Sequence, residues 1–127
     1  MIRLPDNIFL AVAPVDLHWS FDRLAGLVRE VVRADPRGST VVVFHNRRRT
    51  HVKLLWHDGS GYCVHYKRLD RGAYRIPESI PAGATRITIS ARELSVLLQG
   101  IDRSLLRAAR RSIAKTAPHA VTLRDTV

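Results

Sequence analysis

The chain has 127 residues, 46% of them hydrophobic, with 7 Gly, 6 Pro and a formal net charge of +10. That length fits one domain with a modest core, and the apolar content excludes a disordered chain. A single cysteine excludes an internal disulfide framework, and no secretory leader or bilayer-length apolar run is legible, so the cytoplasm is the expected compartment.

In chain order, residues 8–13 read as a first strand, apolar on both sides and ended by Pro14. A helix follows, with Ser20 as N-cap, Asp22 at the positive end of its dipole, and Phe21, Leu24, Ala25, Val28, Val31 and Val32 on one face. Pro36 and Gly38 close it. Residues 40–69 then form a β-meander. Its first apolar run ends at Phe44, residues 46–50 make a polar loop containing Arg47, Arg48 and Arg49, and Val52, Leu54 and Trp56 alternate with Lys53, Leu55 and His57. Asp58-Gly59-Ser60-Gly61 is a hairpin turn, and the returning strand alternates Tyr62, Val64 and Tyr66 against Cys63, His65 and Lys67.

Residues 72–83 are an irregular, proline-containing connection, and residues 86–89 a short strand. Ser90-Ala91-Arg92-Glu93 is a capping box that starts a helix at Ala91, and Gly100 suits its left-handed end. Asp102 caps one more helix, with Leu105, Leu106, Ala109 and Ile113 on one side and Arg103, Arg107, Arg110 and Arg111 on the other. The expected fold class is α+β: an antiparallel β-meander sheet with helices packed on one face and a C-terminal basic helix. Residues 1–102 are expected to form the domain, and residues 103–127 the basic helix and a tail expected to be disordered from residue 116.

The charge points to a polyanionic partner, because each phosphate that a cation neutralises releases condensed counterions. Lysine occurs only at Lys53, Lys67 and Lys115, so the cations are mainly arginine, whose planar guanidinium grips phosphate at two points. Placement supports this, since no acidic residue lies between Asp35 and Asp58 or from Arg103 to Arg124. The expected nucleic-acid-binding residues are Arg47, Arg48, Arg49, Lys53, His65, Lys67, Arg71, Arg107, Arg110 and Arg111. Lys53, His65 and Lys67 are expected on one outward face by alternation. Trp56, Tyr62 and Tyr66 supply flat surfaces for the core or for stacking on bases, with Trp56 and Val64 assigned to the core. Arg68 falls on the inner face and is expected to reach Asp70 or a backbone carbonyl.

The same residues carry a resemblance. The apolar strand, the arginine triplet, Lys53-Leu54-Leu55-Trp56, Asp58-Gly59-Ser60-Gly61 and Tyr66-Lys67-Arg68-Leu69-Asp70-Arg71-Gly72 resemble the TnpB-type accessory proteins, encoded by the second reading frame of the insertion sequence sixty-six family of bacterial transposons. Phe21-Asp22-Arg23-Leu24, Asp35-Pro36 and Leu97-Leu98-Gln99-Gly100-Ile101-Asp102 extend the likeness, which spans residues 16–102. The chain departs from the family's pattern at Leu17-His18, where a basic pair is usual, and at Thr50, where an acidic residue is common.

The resemblance implies a non-catalytic accessory protein of DNA transposition. Its expected partners are DNA, at transposon ends or non-specifically, and the transposase or another transposon-encoded protein, in the bacterial cytoplasm and in association with the nucleoid. No cofactor and no membrane are implied. One alternative is a protein-interaction subunit contacting an acidic partner without DNA. Another is a metal-dependent nuclease, whose carboxylate pool is Asp16, Asp58, Asp70 and Glu93. Asp58 is already spoken for as a turn residue, Glu93 as a capping partner and Asp70 as a neighbour of Arg68 or Arg71. His51 and His57, with His65 across from either, invite a zinc site; the alternative is solvated strand-face histidines, and Cys63 reads as a buried, inert thiol.

Overall fold

The computed structural model describes residues 5–77 and 80–100. Five strands, β1 (Asn7–Ala11), β2 (Thr40–His45), β3 (His51–His57), β4 (Tyr62–Arg68) and β5 (Arg86–Ile89), form one sheet in the order β4-β3-β2-β1-β5. The meander β2-β3-β4 is antiparallel, as its turns require. The sheet as a whole is not: β1 runs parallel to β2, with Ile8 opposite Val41 and Leu10 opposite Val43, while β5 runs antiparallel to β1. The mixed topology follows from the connection between β1 and β2, which passes through helix α1 (Phe21–Leu27) and so returns the chain in its original direction.

The expectation of helices on a single face is also corrected. Ile8, Leu10, Val41, Val43, Val52, Leu54 and Trp56 pack with Leu94 and Leu97 of helix α2 (Ala91–Gln99). Ala11, Val42, Phe44 and Leu55 pack with Leu24, Ala25, Val28 and Val32 on the opposite side. Every residue of β2 is buried. A strand apolar on both sides leaves each face of the sheet in need of cover, and one helix cannot supply both.

Helix α1 widens into a π-type turn over Val28–Val32 and ends at Arg33 in the left-handed region, at φ 60°. The wider turn keeps Val28 and Val32 inward but carries Val31 outward, to 40% exposure, and Phe21 at the first turn is 42% exposed. Arg86 of β5 closes this helical end by donating to the Arg33 carbonyl at 3.1 Å, its guanidinium lying 4.2 Å from the centre of the Phe9 ring. Helix α2 begins with the anticipated capping box, Glu93 N donating to Ser90 Oγ and Ser90 N to Glu93 Oε1, each at 3.0 Å. Gly100 ends it at φ 68°.

The connection after β4 is irregular in backbone yet integral to the core. Ala73, Tyr74 and Ile76 are buried, and Tyr74 and Ile76 lie on the α2 side of the sheet. Strand β1 ends two residues earlier than the sequence pattern implies, with Val12 N turning to the Thr85 carbonyl at 3.1 Å. The expected basic helix and tail, and the boundary at Asp102, lie outside the described residues. Among the described residues no helix is long and apolar enough to cross a membrane.

At the β3-β4 turn, Asp58 Oδ1 accepts from Ser60 N at 2.9 Å, Ser60 Oγ at 2.9 Å and Gly61 N at 3.0 Å, while Gly59 sits at φ 99°. Gly59→Val should therefore lower stability by roughly 1 to 3 kcal/mol through backbone strain alone, read from denaturant melts. The hydrogen bonds from Ser60 and Gly61 hold the Asp58 carboxyl down to about 2 from an ordinary 3.8. Because the folded turn favours the carboxylate, its stabilisation is complete above about pH 4 and is lost as the pH falls through about 2. The melting-temperature gap between the wild type and Asp58→Asn should close over that window.

Candidate nucleic-acid interface

The arginine triplet is displayed on a loop whose backbone is fixed from within. Asn46 Oδ1 accepts from Thr50 N at 2.9 Å and His51 N at 3.0 Å, and Asn46 Nδ2 donates to Thr50 Oγ1 at 3.0 Å. Arg49 N closes the turn on the Asn46 carbonyl at 3.0 Å, which takes Arg49 to φ 60°. The loop's outer carbonyls serve as anchors for the chain after β4: Thr50 O accepts from Leu69 N at 3.0 Å and Arg49 O from Tyr74 N at 2.6 Å. Tyr74 is buried and its hydroxyl donates to the Lys67 carbonyl at 3.3 Å; burial pushes the phenol up to about 12, so it stays a neutral donor. Arg47, Arg48 and Arg49 are left exposed on a backbone with few remaining freedoms.

The sheet's register gathers more cations beside them. His45 pairs with Val52 and His51 with Arg68, so the β2-β3 loop and the end of β4 share one end of the sheet, and Arg71 follows in the next turn. Arg47, Arg48, Arg49, Arg68 and Arg71 are all exposed, and among the described residues none pairs with a carboxylate, not even the neighbouring Asp70 that was expected to hold Arg68. Asp6, Asp35, Asp58 and Glu93 lie at the other end of the sheet, before β1, before β2, in the β3-β4 turn and just after β5. Asp16 and Asp70 lie at the arginine end, and Arg37 and Arg92 at the other, so the charge is biased along the strands rather than divided between the ends.

Three expected members of the site are divided between the two faces of the sheet. Lys53 is opposite Tyr66 on the α1 side, whereas His65 and Lys67 are opposite Leu54 and Val52 on the α2 side. They do not share a face, because an antiparallel pair places opposed residues on the same side, and Lys53 is opposed to a tyrosine. The same register puts Trp56 and Val64 in different cores, on the α2 and α1 sides respectively, and sets His65 away from His51 and His57. Lys53 Nζ donates to the Trp19 carbonyl at 3.2 Å and lies 4.8 Å from the centre of the Tyr66 ring. Lys67 Nζ donates to the Leu98 carbonyl at 2.6 Å. Among the described residues no three His, Cys, Asp or Glu side chains come together as a metal ion needs. Arg107, Arg110 and Arg111 lie outside the described residues.

Sequence reasoning passed over His45, which looks like the polar end of an apolar run. It is buried, with Nε2 3.1 Å from the Ala11 carbonyl and Nδ1 3.4 Å from that of Asn46, and burial lowers its pKa. The ring joins β1 to the first residue of the arginine loop, and only the unbroken apolar run before it hinted at an inward position.

Comparison with known proteins supplies the family. Residues 6–108 match the family described as IS66 Orf2 like protein. The chain belongs to that family. The match begins before Asp16 and continues beyond Asp102, so it is wider at both ends than the likeness read from motifs. Over 96 residues the chain is 40% identical to the uncharacterized protein y4hO and 30% identical to the uncharacterized protein y4jC, both of Sinorhizobium fredii strain NBRC 101917 / NGR234. Each alignment covers 76% of this chain, with 81% of y4hO and 80% of y4jC. No solved structure matches it. The IS66 Orf2-like family is a transposon-encoded accessory family, which links the chain to insertion-sequence transposition.

In this member of the IS66 Orf2-like family, two of the motif strings, that of residues 66–72 and the one that begins at Leu97, meet in space. Lys67 of Tyr66-Lys67-Arg68-Leu69 caps α2 at Leu98, and a Cβ on Gly100 would stand 2.5 Å from Leu69 Cδ1. Much of the string is thus scaffold, with Tyr66 and Arg68 left to solvent. Thr50, a departure from the family pattern, is tied into the Asn46 and His51 network through its hydroxyl. Lys67→Met should lower stability by about 1 kcal/mol, since a half-exposed charged donor to a helix-end carbonyl is lost, while leaving any salt dependence of DNA binding unchanged. Thermal melts paired with a salt titration test both halves.

Proposed function

We propose that this protein is a non-catalytic DNA-binding accessory factor of insertion-sequence transposition, and that the arginine end of its sheet contacts the phosphate backbone. The observation that carries this reading is the concentration of Arg47, Arg48, Arg49, Arg68 and Arg71 at one end, without a carboxylate partner for any of them among the described residues. An unneutralised cluster on a fixed loop loses little side-chain or backbone freedom beyond that of the arginines themselves when it meets a polyanion. Lys53 and His65 flank it from opposite faces. Arg107, Arg110 and Arg111, at the end of the family match and beyond, would add phosphate contacts from a second stretch of chain. The setting is the bacterial cytoplasm, with the transposase as a further partner.

A nuclease reading finds no support in the carboxylate pool. Asp58 is committed to its turn and Glu93 to its cap, Asp16 is held by His18, and Asp70 has no cluster of further carboxylates or histidines beside it among the described residues.

Replacing Arg47, Arg48 and Arg49 together by alanine should weaken duplex binding and flatten the plot of log affinity against log salt by up to about three phosphates' worth. Melting should change little, because these side chains are exposed. An unchanged slope in the folded variant would remove the loop from the interface; binding of an acidic protein but not DNA by the wild type would replace DNA with a protein partner.

A further inference from the structure

Beside the arginine loop, on the α1 side of the sheet, lies a groove of about 320 Å³ lined by Val15, Asp16, Leu17, His18, Asn46, His51 and Tyr66. Its chemistry differs from that of its rim. Tyr66 is 54% exposed on an edge strand, an unusual position for so large an aromatic, and its ring is braced by Lys53 Nζ at 4.8 Å and by the His51 ring at 5.8 Å between centroids. His51 is itself fixed: its Nδ1 stands 2.7 Å from Thr50 Oγ1 and 3.3 Å from Asn46 Nδ2, an amide nitrogen that can only donate. Nδ1 is thereby an acceptor, the proton resides on Nε2, and Nε2 has no partner among the described residues.

Across the groove, Asp16 Oδ1 accepts from His18 N at 2.9 Å and lies 2.8 Å from His18 Nδ1, and these bonds hold the carboxyl below the usual carboxylate range. The groove therefore offers a flat aromatic face, an N–H donor and a carboxylate acceptor. The Asp16 carboxylate on the groove's wall repels phosphate, whereas the arginines one loop away attract it. A ligand that satisfies both is a nucleotide whose phosphates lie on the arginine rim and whose base enters the groove, which a stacked base in duplex DNA cannot do.

We infer that this groove takes an unpaired base of single-stranded DNA, stacked on Tyr66, with Asp16 and His51 facing its polar edge. The inference rests on the DNA-binding reading above and extends it to substrate class.

The test is fluorescence anisotropy of the full chain with a labelled single-stranded oligonucleotide of about a dozen nucleotides and with the corresponding duplex, at matched salt. Tyr66→Ala should weaken single-strand binding about tenfold, leave duplex binding nearly unaltered and keep the salt slope, since no phosphate contact is lost. Tyr66→Trp should restore single-strand affinity, and circular dichroism melts of both variants should match the wild type. Equal losses on the two DNAs, no loss on the single strand, or failure of tryptophan to outperform alanine would overturn the groove. So would competition in which polyglutamate displaces the single strand as well as unlabelled single strand does. The arginine triple variant reports separately: loss of duplex binding there with a silent Tyr66→Ala removes only this inference, and a wild type that binds no DNA removes both.

Discussion

Strand β2 has no wet side. All its residues from Thr40 to His45 are buried, and the rest of the architecture answers that constraint. Val41 and Val43 need cover on one face, Val42 and Phe44 on the other, so the chain must place a helix on each. The crossover that supplies the first helix makes β1 parallel to β2. The second helix arrives from β5, on the far side of β1. With both faces largely occupied, the extensive solvent-facing parts of the sheet are its edges and its two ends, and one of those ends gathers the arginines.

The segment following β4 converts this layered arrangement into a presentation device. It donates hydrogen bonds from Leu69 N and Tyr74 N to the carbonyls at one end of the arginine loop and drives Tyr74 into the core, while Lys67 and Leu69 fasten the far end of α2. Loop, strand end and helix end are therefore mechanically joined. A cationic surface built this way begins binding with its backbone already ordered, so the cost of association falls mainly on side chains.

Much of this was legible in the residues. The meander, both of its turns, the capping box at Ser90 and the short strand over Arg86–Ile89 follow from period-two alternation, glycine placement and a Ser-x-x-Glu spacing, all of them local signals. What escaped were relations between distant segments. Nothing local in Ile8, Leu10 or Val41 says that β1 lies parallel to β2, and nothing in the proline-containing stretch after Gly72 says that Tyr74 and Ile76 are core. The shared face assigned to Lys53, His65 and Lys67 failed for a similar reason: alternation orders residues within a strand, but the phase between strands is set by the turn. The exposed arginines were legible by charge. The groove beside them was not, because it requires Asp16, His51 and Tyr66 from three separate stretches of chain.

Arg49 occupies the left-handed region, at φ 60°, a conformation in which glycine and asparagine sit more comfortably than a long side chain. The turn would close as well, and more cheaply, with glycine there. At this position local backbone preference and surface charge pull in opposite directions: a glycine variant would gain in foldability what it surrendered in cationic surface. A loop tuned for durability alone would have resolved the conflict the other way, and Arg49 is accordingly the position where a trade between robustness and recognition should be most visible.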